Sequence, residues 1–346
     1  MSAVPIVCFR MPPDMEPAEL AQWTPIRLTL ERPEPVVDWC DLRGIAFREP
    51  FFMQTIARWA NQTAEGGEAP RPVVRTVLSA LEAVDGVGEC LEPSGFIFHM
   101  SRCGSTVLSR LFGTVPDTVV ISEAEPINSF LEADPDELNE EALVHCLRLM
   151  IRALGRKRFG EERHYVVKFS SWNVRRLDLL RAAFPNTPWI FVYRQPIEVI
   201  SSVLKGSPGW MQLQRFPAQA EHLLGIPAAE CADMPVEAFC ARGLAGFCAA
   251  ALAADDGRAL FINYRDLPQV AWGPVAHHFD IPLAAEHVAR MREEARYYAK
   301  DTERRPFVAD DAEKRGATPE IKALSARWLG APFAEMQARR AAAIEP

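Results

Sequence analysis

Charged and hydroxylated residues stand directly after several short apolar runs of this chain: Arg102 with Ser105 and Thr106, Glu123 with Glu125, Lys168 with Ser170, and Arg194. The stretch "SGFIFHMSRCGSTVLSRLF", from Ser94 to Phe112, sets a buried-strand pattern before a tight turn of small residues and then a helix with Val107, Leu108, Leu111 and Phe112 on one face. Turn amides and the unpaired first N–H groups of a helix converge on one point, so "SRCGST" predicts an anion cradle suited to a phosphate. Arg102 supplies charge there, Cys103 and Gly104 leave room, and Ser105 and Thr106 supply hydroxyls. In "PWIFVYRQPIEVISSVL", Arg194 ends a strand and Pro196 suits a first helical turn. Glu198 and Ser202 lie four apart on that helix, so Ser202 is on the face running back to Arg194, and the two can share a second phosphate.

The first loop differs from two lookalikes. A Walker loop requires glycine where His99 stands and lysine where Ser105 follows Gly104, which argues against a nucleoside triphosphatase. A cysteine-dependent phosphatase requires arginine six positions beyond its cysteine; from Cys103 that position is Ser109, with Arg110 one step too far.

The elements that must position these groups follow from the apolar pattern. From Gly95 onward, runs at Phe96 to Phe98, Thr118 to Ile121, Tyr165 to Val167, Trp189 to Tyr193 and Ala259 to Ile262 are mostly separated by helical segments. In "NVRRLDLLRAAF", for example, Val174, Leu177, Leu180 and Phe184 share one face. The alternation predicts an α/β fold, a parallel sheet flanked by helices in which ligands collect beyond the carboxyl ends of the strands. Residues 94–346 are expected to form this domain and residues 1–93 a proline-rich extension or cap of mixed helical character, with helices in "FFMQTIARWANQ" and "VVRTVLSALEAV".

Composition narrows the partners. At 346 residues, 49% of them apolar, the chain can bury a full core. A net charge of −8 argues against a nucleic-acid surface, so an anion site must be a local cluster. The eight cysteines show no metal spacing, "MSAVPIVCF" lacks the basic start of a signal peptide, and the apolar run from Phe239 contains Arg242 and is short for a bilayer. The expectation is a soluble, reduced, cytoplasmic protein with no nucleic-acid or membrane partner.

The two phosphate motifs, in this order, resemble those of the sulfotransferases that use 3'-phosphoadenosine 5'-phosphosulfate. "SRCGST" is similar to the family's 5'-phosphosulfate loop, and Arg194 and Ser202, eight residues apart, match its 3'-phosphate pair. "YVVKFSSWN" resembles the strand that reads Lys-Thr-His in cytosolic members, and "FINYRDLP" with "HHFDIP" resembles their Tyr-Glu-Asp-Leu strand and Phe-Leu-Gly turn. "EKRGA" is similar to the Arg-Lys-Gly loop closing over the 3'-phosphate, which places Lys314 and Arg315 there.

The resemblance implies a P-loop-like nucleotide fold and sulfuryl transfer to a hydroxyl or amine of a small or polymeric acceptor, leaving adenosine 3',5'-bisphosphate and needing no metal. It assigns Arg102 and Lys168 to the charge developing on the leaving phosphate. Where cytosolic members have the histidine base this chain has Ser170, so the proton falls to a glutamate of "ISEAEP", with Glu123 preferred to Glu125. Arg102 replaces the usual lysine, and Val107 replaces a tryptophan that stacks on adenine, for which Trp172 is the substitute. Two other readings stay open: a small-molecule kinase on the same scaffold using ATP and magnesium, and a nucleotide-binding protein without catalysis.

Overall fold

Runs such as "TVVIS" and "WIFVY" carry β-branched and aromatic side chains on both faces, the composition of a parallel strand covered on each side. In the computed structural model, which describes residues 8–10, 15–30, 34–42, 44–65, 73–133, 138–301, 303–307 and 317–344, nine strands form. They are β1 (Cys8–Arg10), β2 (Thr24–Thr29), β3 (Val36–Cys40), β4 (Val73–Val77), β5 (Gly95–His99), β6 (Thr118–Ser122), β7 (His164–Lys168), β8 (Trp189–Tyr193) and β9 (Ala259–Asn263). The last five make a parallel sheet in the order β6-β7-β5-β8-β9, flanked by helices in sequence. Every residue of β5, β6 and β8 is buried. The α/β class and the five strand positions agree with the sequence reading.

The chain divides into two compact units. The first comprises Met1–Ser94, Phe112–Lys168 and Leu179–Thr187. It holds a four-stranded sheet in the order β1-β4-β3-β2, and the parallel pair of β6 and β7, in which Ser122 sits opposite Lys168. The second comprises Gly95–Leu111, Phe169–Asp178 and Pro188–Pro346, with β8 between β5 and β9 in parallel register.

One expected helix is half strand. "VVRTVLSALEAV" forms β4 and then only the helix Ala80–Asp85. Val73, Val74, Thr76 and Val77 are β-branched and fit a pleated surface, and β4 runs antiparallel to β3, with Arg75 opposite Asp38. The Arg75 guanidinium forks onto that carboxylate at 2.7 and 2.9 Å. Residues 1–93 therefore hold a sheet besides their helices Pro17–Leu20, Phe52–Glu65 and Ala80–Asp85.

In the second unit the run from Phe239 belongs to a longer helix, Val236–Ala254, which at 19 residues is long and apolar enough to cross a membrane by length and composition. Here Phe239, Leu244, Phe247 and Cys248 are buried, and the helix packs against the C-terminal helix Pro319–Ile344.

Candidate functional site

The loop after β5 has an uncommon backbone. Ser101 and Arg102 have φ of 75° and 49°, the left-handed region that side chains other than glycine seldom adopt, and Gly104 has 88°. A Cβ on Gly104 would lie 2.7 Å from the Tyr264 ring and 2.8 Å from Leu267, so this position excludes a side chain by space as well as by φ. Strain of this kind persists only where the surroundings hold it. His99 is one of the holders: its Nδ1 accepts from the Ser101 amide at 3.0 Å and its Nε2 faces the Phe169 carbonyl at 3.0 Å. An accepting Nδ1 leaves the proton on Nε2, so His99 is a neutral, buried loop support. Ser101 also accepts from the Trp210 indole at 3.3 Å. Cys103 is buried with its thiol donating to the Val192 carbonyl, so its contribution to an anion is the amide. Ser105 and Thr106 open the helix Ser105–Phe112, where the first amides have no partner within the helix.

The second motif meets the first on one helix. Pro196–Gly206 begins two residues after Arg194, and its buried inner face carries Glu198 and Ser202 one turn apart, about 6 Å along the axis. Arg194 donates through Nε to Glu198 at 2.7 Å, and Arg102 donates through Nε to Ser202 Oγ at 3.0 Å. The sequence places Arg194 and Ser202 together on one phosphate; here each arginine takes its own acceptor on neighbouring turns. Gly206 continues this face, since a Cβ built there would stand 3.3 Å from the Arg102 guanidinium. The Arg194 guanidinium also lies 4.1 Å from the centre of the Tyr264 ring. Tyr264 thus touches both motifs, bordering Gly104 and facing Arg194. A cavity of about 320 Å³ opens beside them, lined by Val107, Arg194, Glu198, Tyr264, Tyr297 and Phe307 among others. Trp172, the expected stacking residue, is not part of that lining.

In the first unit, the ends of β6 and β7 join the other two residues expected to be catalytic. Lys168 is 1% exposed, and its ammonium binds the Glu123 carboxylate directly. The Glu123 amide donates to the Lys168 carbonyl at 2.7 Å, and Glu123 has a φ of 54°. The ammonium also lies 5.5 Å from the centre of the Phe51 ring. Glu125 has a structural setting instead: its carboxylate accepts from the Leu28 amide of β2 at 3.2 Å, and burial pushes its pKa up. Lys314 and Arg315 lie outside the described residues.

No protein-family model and no curated protein matches this chain. Among solved structures it is similar to sulfotransferase STF9 from Mycobacterium avium, at 14% identity, covering 70% of this chain and 77% of that one with a TM-score of 0.43. Sulfotransferase STF1 from Mycobacterium tuberculosis H37Rv gives 16% identity, 80% and 83% coverage and a TM-score of 0.40. Mouse sulfotransferase SULT7A1, in a structure complexed with PAP, gives 12% identity, 77% and 89% coverage and a TM-score of 0.36. At such low identity and overlap these likenesses assign no activity to this chain.

Two residues of the site lay beyond sequence reasoning. Tyr264 carried two signals, its place as the tyrosine of "FINYRDLP" and its position directly after the last residue of a strand, where a rim residue belongs. Glu198 carried only its spacing from Ser202.

Proposed function

We propose that this chain transfers a sulfuryl group from 3'-phosphoadenosine 5'-phosphosulfate to a hydroxyl or amine of an acceptor, with adenosine 3',5'-bisphosphate as the leaving product. The observation that carries the reading is that Arg102 and Arg194, which end two separate strand motifs, are held on adjacent turns of the single helix Pro196–Gly206. Two guanidinium groups at that spacing suit the two phosphates of one nucleotide better than two independent anions. The donor set fits such a ligand: two arginines, the hydroxyls of Ser105, Thr106 and Ser202, the first amides of a helix, and a glycine cradle that a Cβ would fill. The aromatic rings of Tyr264, Tyr297 and Phe307 give the adjoining cavity flat apolar walls for a purine.

In this reading Gly104, Cys103, Ser105 and Thr106 hold the 5'-phosphate with Arg102, while Arg194 and Ser202 hold the 3'-phosphate, together with Lys314 and Arg315. The nucleotide supplies the sulfuryl group. Negative charge grows on the phosphate oxygen as its bond to sulfur breaks, and Arg102 and Lys168 stabilise that charge. Glu123 takes the proton from the acceptor as the acceptor's oxygen or nitrogen bonds to sulfur, so charge and atoms balance without a metal. The protein is read as cytoplasmic, in keeping with the free thiols of Cys40, Cys90, Cys103, Cys146, Cys231, Cys240 and Cys248.

Thermal unfolding with adenosine 3',5'-bisphosphate, and separately with ATP and magnesium, tests the reading. A ligand at a hundredfold its Kd stabilises by about 2.7 kcal/mol. The bisphosphate is expected to raise Tm in the wild type and not in Arg194→Ala. A rise with ATP and magnesium alone selects the kinase reading; bisphosphate binding without sulfated product from any acceptor selects the non-catalytic one.

A further inference from the structure

A second cavity of the same unit, of about 520 Å³, has a lining that includes Ser207, Met211, Gln212, Arg215, Ala232 and Val236. We infer that it receives the acceptor, and that the acceptor is an amphipathic molecule bearing a carboxylate or comparable anion; this rests on the sulfuryl-transfer reading above.

Three observations point there. The first is position. Ser207 lines the cavity and directly follows Gly206, the glycine that borders the guanidinium of Arg102, the arginine assigned to the leaving phosphate.

The second is charge. The chain carries a net −8, yet among the described residues the lining contains no carboxylate and one cation, Arg215. Arg215 is exposed and has no ion-pair partner among the described residues. A solvated guanidinium at a cavity wall is a ready fork for a carboxylate. Ser207, Gln212 and Gln214 are the neutral polar residues of the wall, and Gln214 already donates to the Met234 carbonyl at 2.6 Å.

The third is exposed apolar surface. Val236 in the wall is 45% exposed and Phe216, next to Arg215, is 55% exposed. Val236 shares the lining with Met211, Pro217 and Ala232, and Met211 is a side chain that adapts to irregular apolar ligands. An acceptor with an apolar body along Met211 and Val236, an anion at Arg215 and a hydroxyl towards Ser207 satisfies all three.

Calorimetric titration of the full chain, saturated with adenosine 3',5'-bisphosphate, tests this with 12-hydroxydodecanoate and the uncharged 1,12-dodecanediol as probes. The carboxylate is expected to bind at least tenfold more tightly than the diol. Arg215→Gln should abolish that preference while leaving bisphosphate affinity unchanged, and Val236→Glu should weaken both probes. Equal binding of the two probes overturns the inference, as does a preference that survives in Arg215→Gln or a failure of both probes to bind while the bisphosphate does. If the bisphosphate itself does not bind, the nucleotide reading fails; Arg215-dependent binding of the carboxylate then still supports the anion cavity.

Discussion

Arg102 donates to Ser202 across 3.0 Å, so the loop after β5 and the helix after β8 share a hydrogen bond between residues assigned to different phosphates. The bond holds the Arg102 side chain along the helix and leaves its outer guanidinium nitrogens beyond Nε directed past Gly206. Hydrogen bonds with a charged partner contribute roughly 1.5–3 kcal/mol. Ser202→Ala is therefore expected to weaken adenosine 3',5'-bisphosphate by about tenfold, the lower part of that range, with little change in Tm because Arg102 is partly solvated. Titration calorimetry on the variant measures it. An unchanged Kd would mean that Ser202 serves only to hold the apo loop.

Glu198 poses the opposite problem, a carboxylate within a site built for anions. Its ion pair with Arg194 is buried on both sides, with side chains 5% and 3% exposed. Removing one partner of such a pair costs roughly 3–5 kcal/mol, and an amide that keeps one acceptor oxygen costs less. Glu198→Gln should lower Tm moderately and at the same time tighten bisphosphate binding, because a like charge has left the site. Loss of binding in this variant would show that the orientation Glu198 imposes on Arg194 outweighs its charge.

Much of this arrangement was legible in the chain because the information is local. A run such as Thr118 to Ser122, apolar on both faces, is a buried parallel strand wherever it occurs, and the residue after it must lie on the rim. That logic picks out Arg102, Glu123, Lys168 and Arg194 from the sequence. It failed at Val73 to Val77, whose strand identity depends on pairing with β3 and β1. It was also silent on Tyr264 against Gly104, since a contact between distant positions leaves no periodicity in either segment.

Gly104 makes that contact testable. Ala at this position meets both a φ of 88° and rings and methyls closer than 3.0 Å from Tyr264 and Leu267. Strained backbone of this kind costs roughly 1–3 kcal/mol. Gly104→Ala should lower Tm accordingly and abolish bisphosphate binding, since Tyr264 has to move away from the loop. Tyr264→Ala in the same background removes the ring's share of the clash and leaves that of Leu267, so a partial recovery of Tm in the double variant is expected by circular dichroism. No recovery at all would assign the effect to φ and the Leu267 contact and none of it to the ring.

The two glutamates of "ISEAEP" separate by their pH behaviour. Burial raises the pKa of Glu125 in the folded state above its unfolded value. A group shifted in that direction contributes stability below the unfolded value, roughly pH 4, and loses it as pH rises through the folded one. Glu125→Gln, neutral at every pH, should therefore be more stable than the wild type at pH 7, with the difference fading towards pH 4, and should retain activity. Glu123→Gln should lose about 100- to 10,000-fold in kcat, the range for a positioned base. Melting curves from pH 4 to 8 and turnover at pH 7 separate the two; full activity in Glu123→Gln would remove it from the mechanism.

The C-terminal helix Pro319–Ile344 offers the most indirect control of the site. Burial pushes the Tyr193 pKa up to about 12, so its hydroxyl is a donor, and it bonds Gln337 Oε1. The same oxygen accepts from Asn263 Nδ2 at 3.0 Å. Tyr193 and Asn263 end β8 and β9 and precede Arg194 and Tyr264, so one amide oxygen ties the strand ends that present both residues. Three positions along the helix, Arg340 forks onto Asp266 at 2.7 and 2.6 Å, and Asp266 in turn closes the turn that begins at Asn263. Gln337→Ala removes an acceptor from two buried donors and is expected to raise KM for the phosphosulfate nucleotide several-fold with kcat nearly unchanged, because the reacting groups are not touched. Gln337→Glu keeps an acceptor for both donors and should restore KM. If Gln337→Ala lowers Tm without moving KM, the helix braces the fold and has no part in holding Arg194 and Tyr264 in register.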